Sequence, residues 1–339
     1  MAGVRDPGAL GPYDPAMSGG DTGGASQQQL RIRYHRDFDG MVSGAVLAHV
    51  LKAQGERPIL LSVNYDERKG WESFEEGRRF AIVDFHFHPR AEYWFDHHPT
   101  TFLSDELRAT YAPSDRWQWD ENALSCPPLI LRHAKEHFGY EPPERFLEAA
   151  RWSDIIDAAR FESVDQAIFG DDPALRISRS LTAAPNPAWV DQIATALIEE
   201  SMHDVALRSD LEKAHDRAAR NRDKALEQFP PTVIWNEGGV VFYDASSSKV
   251  RRERFAPFYH HPDVSYAVGV IPTRAGSHIT CGENPWNKPE GGIHVGELME
   301  QYGGGGHRAV GGANPPSLAE AQRLGEEVAE LIVRHLAAR

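Results

Sequence analysis

Only two cysteines occur in 339 residues, Cys126 and Cys281, far apart and in unlike surroundings. A disulfide framework or a thiolate zinc site needs more of them at short spacing, and a reducing cytoplasm is the simplest inference. Basic residues are outnumbered, 36 Lys and Arg against 50 Asp and Glu, for a formal net charge of −14. That balance argues against a groove that tracks long nucleic acid by neutralising many phosphates. It stays compatible with a small phosphorylated substrate, because bound divalent cations can dominate the local field of an acidic protein. No apolar run approaches the ~20 residues needed to span a bilayer, so no membrane partner is expected. The opening stretch MAGVRDPGALGPYDPAMSGGDTGGASQQQ holds no apolar segment to direct export.

What is present has the make-up of a soluble globular protein: 41% hydrophobic, 10% aromatic and 25% charged residues, over a length that suffices for two domains. Residues 1–29 read as a disordered tail, since Gly, Pro, Ser and Gln leave too little apolar surface to offset the ordering entropy. LRIRYHRDFDG then alternates through Leu30, Ile32 and Tyr34 and ends in a carboxylate-rich turn, the pattern of a strand delivering a loop. VSGAVLAHVLKA reads as a helix, PILLSVNY and RRFAIVDFHF as strands, and YWFDHH as a short fourth strand. This alternation predicts an α/β layer, a largely parallel sheet with helices on both faces and ligands at the carboxyl ends of the strands. Helical patterns at 121–138 and 143–161 complete a first domain over 30–186. Residues 187–231 read as a helical connector, a long helix or helix pair ended by the prolines at 230 and 231. Residues 232–339 predict a smaller α/β domain, with strands in VIWNEGGVVFYDA and VSYAVGVIPT. It closes on a helix capped by Ser317, whose apolar face holds Leu318, Ala321, Leu324, Val328, Leu331 and Ile332.

The chemistry concentrates at strand ends. In HRDFDG, an extended chain projects His35, Asp37 and Asp39 from one face, so that an imidazole and two carboxylates converge. Asp84 closes the apolar run AIVD, where a carboxylate is expensive unless paired or metal-bound. Asp96, His97 and His98 end the neighbouring strand, and Asp154 and Asp157 share one face of a helix. Carboxylates with a few imidazoles and no thiolate suit Mn2+ or Mg2+ better than structural zinc. Two such ions sharing one carboxylate are the arrangement for in-line displacement at phosphorus.

At these residues the chain resembles the DHH phosphoesterase superfamily. HRDFDG matches its first motif, the Asp84 strand end its second, DHH at 96–98 its third, and Asp154 or Asp157 its fourth. GGGGHRAVGGA at 303–313 is similar to the glycine-rich signature of the DHH-associated substrate domain in the branch that includes oligoribonucleases and cyclic-dinucleotide phosphodiesterases. The resemblance covers residues 30 to about 339. It implies two Mn2+ ions, with Mg2+ or Co2+ as substitutes: His35 and Asp37 on one, Asp39 and His97 on the other, Asp84 bridging and Asp154 as a further ligand, with Asp157 competing for that place. It implies that His98 meets the scissile phosphate or leaving group while Asp96 orients a histidine. Gly304, Gly305, Gly306, His307 and Arg308 would bind the substrate, a small phosphorylated nucleotide or short single-stranded RNA. A cytoplasmic hydrolase, with room for a homodimer, is the expectation. Polyphosphate or pyrophosphate hydrolysis and a non-catalytic nucleotide sensor are the alternatives.

The chain departs from the family pattern in two places. Many relatives carry a serine and an arginine on a strand before the glycine run, whereas ITCGENPWNKPEGG has no arginine, leaving Asn284 or Lys288 to substitute; Arg308 also stands where proline is common. His86 and His88 share the Asp84 face but suit packing equally well. His260 and His261 read as surface loop, and Trp117, Trp119 and Trp152 as core. KVRRERF at 249–255 reads as a solvated basic face.

Overall fold

The computed structural model describes residues 29–249, 252–273 and 276–338, so the tail expected at 1–29 lies, but for Gln29, outside the described residues. In RIRYH the period of two forms strand β1 (Arg31–His35), burying Ile32 and Tyr34. Its polar side is neutralised locally: Arg31 and Arg33 reach Glu75 at 3.1 and 3.3 Å, and Arg33 reaches Glu67 at 2.6 Å. Asp37 then caps helix α1 (Phe38–Ala53), its carboxylate accepting from the Gly40 amide at 2.9 Å. This helix is buried along nearly its whole length, as a helix with apolar residues on every face must be.

There follow β2 (Ile59–Val63), β3 (Phe80–Val83), β4 (Tyr93–Asp96), α2 (Asp105–Thr110), β5 (Trp117–Trp119), α3 (Cys126–Phe138) and α4 (Glu144–Asp157). The strands pair in the order β2-β1-β3-β4-β5, parallel throughout. One face buries Ile32, Tyr34, Val83 and Phe95 under α1 and its helical neighbours. The other is covered differently from a row of crossover helices. There Trp71, Phe85, Phe87 and Trp94 pack with Phe74, Phe102, Leu107 of α2, Tyr111, Trp117 and Trp119. Trp117 and Trp119 form strand β5, and their indole N–H groups donate to the Ala91 and His98 carbonyls, both at 3.0 Å. Trp152 packs against the helical core.

Past α5 (Val164–Phe169) and α6 (Pro173–Leu181), the connector region folds as three helices: α7 (Pro187–Ala196), α8 (Met202–Ala206) and α9 (Ser209–Gln228). Where composition reads one long helix or a helix pair, a break falls before α8, whose start the Ser201 hydroxyl caps by accepting from the Asp204 amide at 3.2 Å. The described chain divides into two compact units, residues 29–158 with 172–217, and residues 159–171 with 218–338.

The second unit is built from β6 (Val233–Glu237), β7 (Val240–Asp244), α10 (Ala256–His260), β8 (Tyr266–Thr273), β9 (Gly276–Glu283), α11 (Val295–Glu300), β10 (Gly305–His307), β11 (Val310–Ala313) and α12 (Leu318–Ala337). Its sheet runs β10-β11-β9-β8-β7-β6, antiparallel except between β7 and β8. Helix α12, capped by the Ser317 hydroxyl, lays Ala321, Val328 and Ile332 on Phe242, Val268 and Val270. Leu318, at the first turn, stays 44% exposed rather than joining that face. Cys126 and Cys281 are both buried and free, and no described helix is long and apolar enough to cross a membrane.

The turn from β1 into α1 leaves no space at Gly40, where a Cβ would lie 2.3 Å from the His35 carbonyl oxygen. Gly40→Ala is therefore expected to destabilise the protein by roughly 1–3 kcal/mol. A denaturant midpoint equal to that of the wild type would contradict the tight turn.

Candidate metal centre

Because β3 lies between β1 and β4 and all three run parallel, His35, Asp84 and His97 emerge side by side at the carboxyl end of the sheet. Asp84 takes φ 55°, the left-handed region that Asp tolerates better than most residues, while its amide donates to the Phe95 carbonyl at 2.8 Å. The resulting turn sets its two oxygens toward different neighbours. Oδ2 lies 3.7 Å from His35 Nδ1, whereas Oδ1 lies 3.4 Å from His97 Nε2 and 3.6 Å from His98 Nδ1.

The first group is completed by Asp37, whose Oδ2 is 2.8 Å from His35 Nδ1. The second gathers Asp39 Oδ2 at 3.4 Å and Asp157 Oδ2 at 3.6 Å around His97 Nε2. Within each of the sets His35, Asp37, Asp84 and Asp39, His97, Asp157, the ligand atoms lie within 4.8 Å of one another. Strand alternation does not cause the convergence in HRDFDG. The strand stops at His35, Asp37 is a helix cap, and Asp39 sits in the first turn of α1, turned inward to 3% exposure. Asp154 lies outside these sets: it accepts from the Ser125 hydroxyl at 2.7 Å, while Asp157, one turn later on α4, faces His97.

Hydrogen bonds aim the ligands. His97 Nδ1 lies 3.2 Å from the Ala123 carbonyl, which leaves Nε2 for the centre, and Asp39 Oδ2 accepts from the Cys126 amide at 3.0 Å. A third set of gathered atoms comprises Asp84, Asp96, His97 and His98. Asp96 Oδ1, however, already accepts from the amides of His97 and His98 at 2.8 and 3.4 Å and lies 2.8 Å from His98 Nδ1, so it orients His98. The Ala123 and Cys126 contacts are backbone contacts and leave no trace in residue identity. His86 and His88 sit in the aromatic layer beside the carbonyls of Thr101 and Trp71, each at 3.1 Å, and point to packing.

Electrostatics mark the centre as short of positive charge. Burial would lower His35 and His97, but the carboxylates of Asp37 and Asp84 around the first, and of Asp39 and Asp84 around the second, push both up to about 12. Burial, reinforced by Asp84, raises Asp39, and burial pushes Asp157 up to about 6. Asp84 suffers the same burial yet is held below the usual carboxylate range by His35 and His97. Asp39 Oδ1, both Asp84 oxygens and His97 Nε2 are buried with no hydrogen-bond partner, and His35 Nδ1, although 2.8 Å from Asp37 Oδ2, makes no well-aligned hydrogen bond with it. Buried polar atoms are normally paired. Five orphaned atoms converging in two groups, all carboxylate or imidazole, fit a pair of hard divalent cations.

In the second unit the glycine run folds as the β10–β11 hairpin at the sheet edge. A Cβ on Gly304 would lie 2.0 Å from the Gly312 carbonyl oxygen, and one on Gly296 of α11 would lie 2.4 Å from that of Gly306. The glycines therefore serve backbone-on-backbone packing, which a flexible linker would not require. His307 and Arg308 are exposed beside the hairpin turn. Asn284 is used up by the fold: its amide donates to the Val264 and Pro262 carbonyls at 2.7 and 3.2 Å, and its oxygen accepts from the Trp286 amide at 3.0 Å. Lys288 is exposed. His260 ends α10 and stacks on Phe229 at 5.5 Å, with Nε2 2.9 Å from the Leu226 carbonyl, and His261 Nδ1 lies 3.0 Å from the Asn236 amide. In the basic stretch, Val250 and Arg251 lie outside the described residues, and the Arg254 guanidinium rests 5.2 Å from the Phe255 ring.

No protein-family model matches the chain, and no curated protein matches it. Solved structures do. The pGpG-specific phosphodiesterase PggH from Vibrio cholerae superposes with a TM-score of 0.65 over 92% of this chain and 99% of that one, at 17% identity. RecJ from Thermus thermophilus, in complex with Mn2+, gives 0.54 over 91% of this chain and 52% of that one, at 12% identity. An exopolyphosphatase-related protein from Bacteroides fragilis gives 0.50 over 91% and 94%, at 11% identity. The chain has the fold of the DHH phosphoesterase superfamily. On this DHH fold, within the tripeptide Asp96-His97-His98 the aspartate orients His98 and the two imidazoles face the Asp84 carboxylate.

A ligand that binds only the folded state at ~100 times its dissociation constant stabilises that state by about 2.7 kcal/mol. Mn2+ is therefore expected to raise the melting temperature of the wild type and of Asp154→Ala, and to leave that of Asp84→Ala unchanged. A wild-type-sized shift in Asp84→Ala, read by calorimetry, would remove that carboxylate from the site.

Proposed function

We propose that the protein is a two-metal phosphoesterase that hydrolyses short nucleotides: oligoribonucleotides, linear or cyclic dinucleotides, or 3′-phosphoadenosine 5′-phosphate. One observation carries the reading. The two oxygens of the buried Asp84 face two separate carboxylate–imidazole groups. In this reading His35 and Asp37 would hold one ion and Asp39 and His97 the other, with Asp84 available to each. Asp157, whose carboxylate faces His97, completes the second set in preference to Asp154, which Ser125 engages. A pair of divalent ions, Mn2+ by preference, would supply Lewis acidity for phosphoryl oxygens and a water of low pKa.

The chain's own residues do the rest. His98, aimed by Asp96 and 24% exposed at its side chain, donates to a phosphate or leaving-group oxygen from the open side of the centre. Burial would lower His98, but Asp96 outweighs it and pushes the imidazole up to about 9, which keeps it a donor at neutral pH. In the second unit, the backbone of Gly304 to Gly306 with His307 and Arg308 forms the nucleotide contact. The near end-to-end match to a pGpG-specific phosphodiesterase supports a dinucleotide-sized substrate, as does the net charge of −14. Two free, buried cysteines are consistent with a cytoplasmic setting.

Hydrolysis should be assayed with Mn2+ and with chelator against pApA, a cyclic dinucleotide, 3′-phosphoadenosine 5′-phosphate, polyphosphate and pyrophosphate. Chelator-sensitive cleavage of a nucleotide is the expected outcome. Phosphate release from polyphosphate alone would replace the nucleotide reading, and nucleotide binding without turnover would indicate a sensor. Asp157→Ala is expected to lower turnover roughly 100-fold, and more than Asp154→Ala does; the reverse order would exchange their roles. Arg308→Ala should raise KM more than it lowers kcat, and the opposite pattern would remove it from substrate binding.

A further inference from the structure

Where β7 and β8 end, parallel to each other, the second unit leaves a cavity of about 280 Å3 against the last turn of α9. That is the scale of a small-molecule site rather than of one or two waters. The hairpin of the proposed nucleotide contact stands at the other end of the sheet. Ile271 and Pro272, which line the cavity, lie toward the end of the β8–β9 pair where Thr273 meets Gly276. The turn carrying His307 and Arg308 joins instead beside Glu283, the register partner of Tyr266, through the Glu283 amide and the Ala309 carbonyl at 2.8 Å.

Two buried donors on the cavity wall have no partner. Tyr243 is 1% exposed and its hydroxyl makes no hydrogen bond. Arg252 belongs to a stretch that composition reads as a solvated basic face, yet its Nε is buried and equally unpaired. Buried polar atoms are normally satisfied, so two orphaned donors on one cavity point to an acceptor that the chain itself does not supply. The tyrosine is held in place by its neighbours. A Cβ on Gly269, its register partner on β8, would lie 2.1 Å from the ring's Cζ, and Phe229 meets the ring edge to face at 5.1 Å. Burial pushes the phenol up, against the nearby Arg252 charge, so it stays a donor at neutral pH.

Arginine keeps its charge, and its fork of N–H groups matches a carboxylate. Phe229, Ile271 and Pro272 make the adjoining wall apolar. Glu253 lines the cavity too, with Oε1 accepting from the Phe255 amide at 3.3 Å. Its negative charge disfavours a phosphate dianion and leaves a singly charged group on Arg252 as the better match.

We propose that this cavity binds a small monocarboxylate with an apolar body, its carboxylate on Arg252 and the Tyr243 hydroxyl and its body against Phe229, Ile271 and Pro272. The site is separate from the metal centre, and the inference does not rest on the phosphoesterase reading.

Calorimetric titration of the full chain with benzoate and hexanoate, in Mn2+ and in chelator, tests this, with benzamide as the uncharged match and inorganic phosphate as the anion without an apolar body. Both carboxylates should bind about tenfold more tightly than benzamide or phosphate, equally with and without Mn2+. Arg252→Gln should weaken benzoate binding roughly 10–100-fold and Tyr243→Phe roughly 3–10-fold, while Arg252→Lys keeps part of the affinity. Without ligand, Tyr243→Phe should melt no lower than the wild type, because the hydroxyl has no partner to lose; this keeps loss of the site distinct from loss of the fold. Absence of carboxylate binding at millimolar concentration overturns the proposal, as does an unchanged benzoate affinity in Arg252→Gln. Binding that requires Mn2+ would put the carboxylate on the metal centre, and benzamide binding as tightly as benzoate would make this a site for neutral ligands; either result overturns it as well.

Discussion

A carboxylate buried at the end of the middle strand of a parallel sheet is the constraint around which the first unit is arranged. Val83 and the residues before it are fully enclosed, and Asp84 follows them at 1% exposure. Such a charge is tolerated only where opposite charge meets it from every open side. Strand order supplies those sides: β1 delivers His35 to one oxygen and β4 delivers His97 and His98 to the other. The left-handed turn at Asp84 separates the two oxygens between these neighbours, so that one carboxylate faces two carboxylate–imidazole groups at once.

The remaining parts make this arrangement rigid. The Cys126 amide fixes Asp39, the Ala123 carbonyl fixes the ring of His97, and Asp96 fixes His98 through its oxygen Oδ1. Each uses backbone or a neighbouring residue as an anchor, so ligand positions do not depend on long flexible side chains. The second unit uses a different device. Its glycine run places backbone against backbone, β10 on β11 and α11, and exposes His307 and Arg308 at the edge.

Much of this was legible in residue order. The strand-ending clusters at His35, Asp84 and Asp96 to His98 were visible because strands that end in charge are unusual, and the alternation in RIRYH set the face of β1. The aromatic layer was less legible: β5 is three residues long, and Trp117 and Trp119 belong to a strand only through pairing with β4. The choice between Asp154 and Asp157 could not be read from a three-residue spacing, since both lie on one helical face and Ser125, which engages Asp154, is far away in sequence. The convergence of Asp37 and Asp39 needed a strand-to-helix turn, whereas spacing alone suggested an extended segment.

The amino-acid sequence by itself determined the inventory: which acids and imidazoles end which strands, where helices start, and that glycine occupies positions where a side chain would collide. These are local properties, set by periodicity, capping and the absence of a Cβ. Tertiary structure alone decided which of those groups meet. The order β2-β1-β3-β4-β5 put Asp84 in the middle, and the packing of α4 brought Asp157 rather than Asp154 to His97. The physical reason is that distance between residues far apart along the chain is set by packing of the whole sheet and its helices, and no local spacing encodes it.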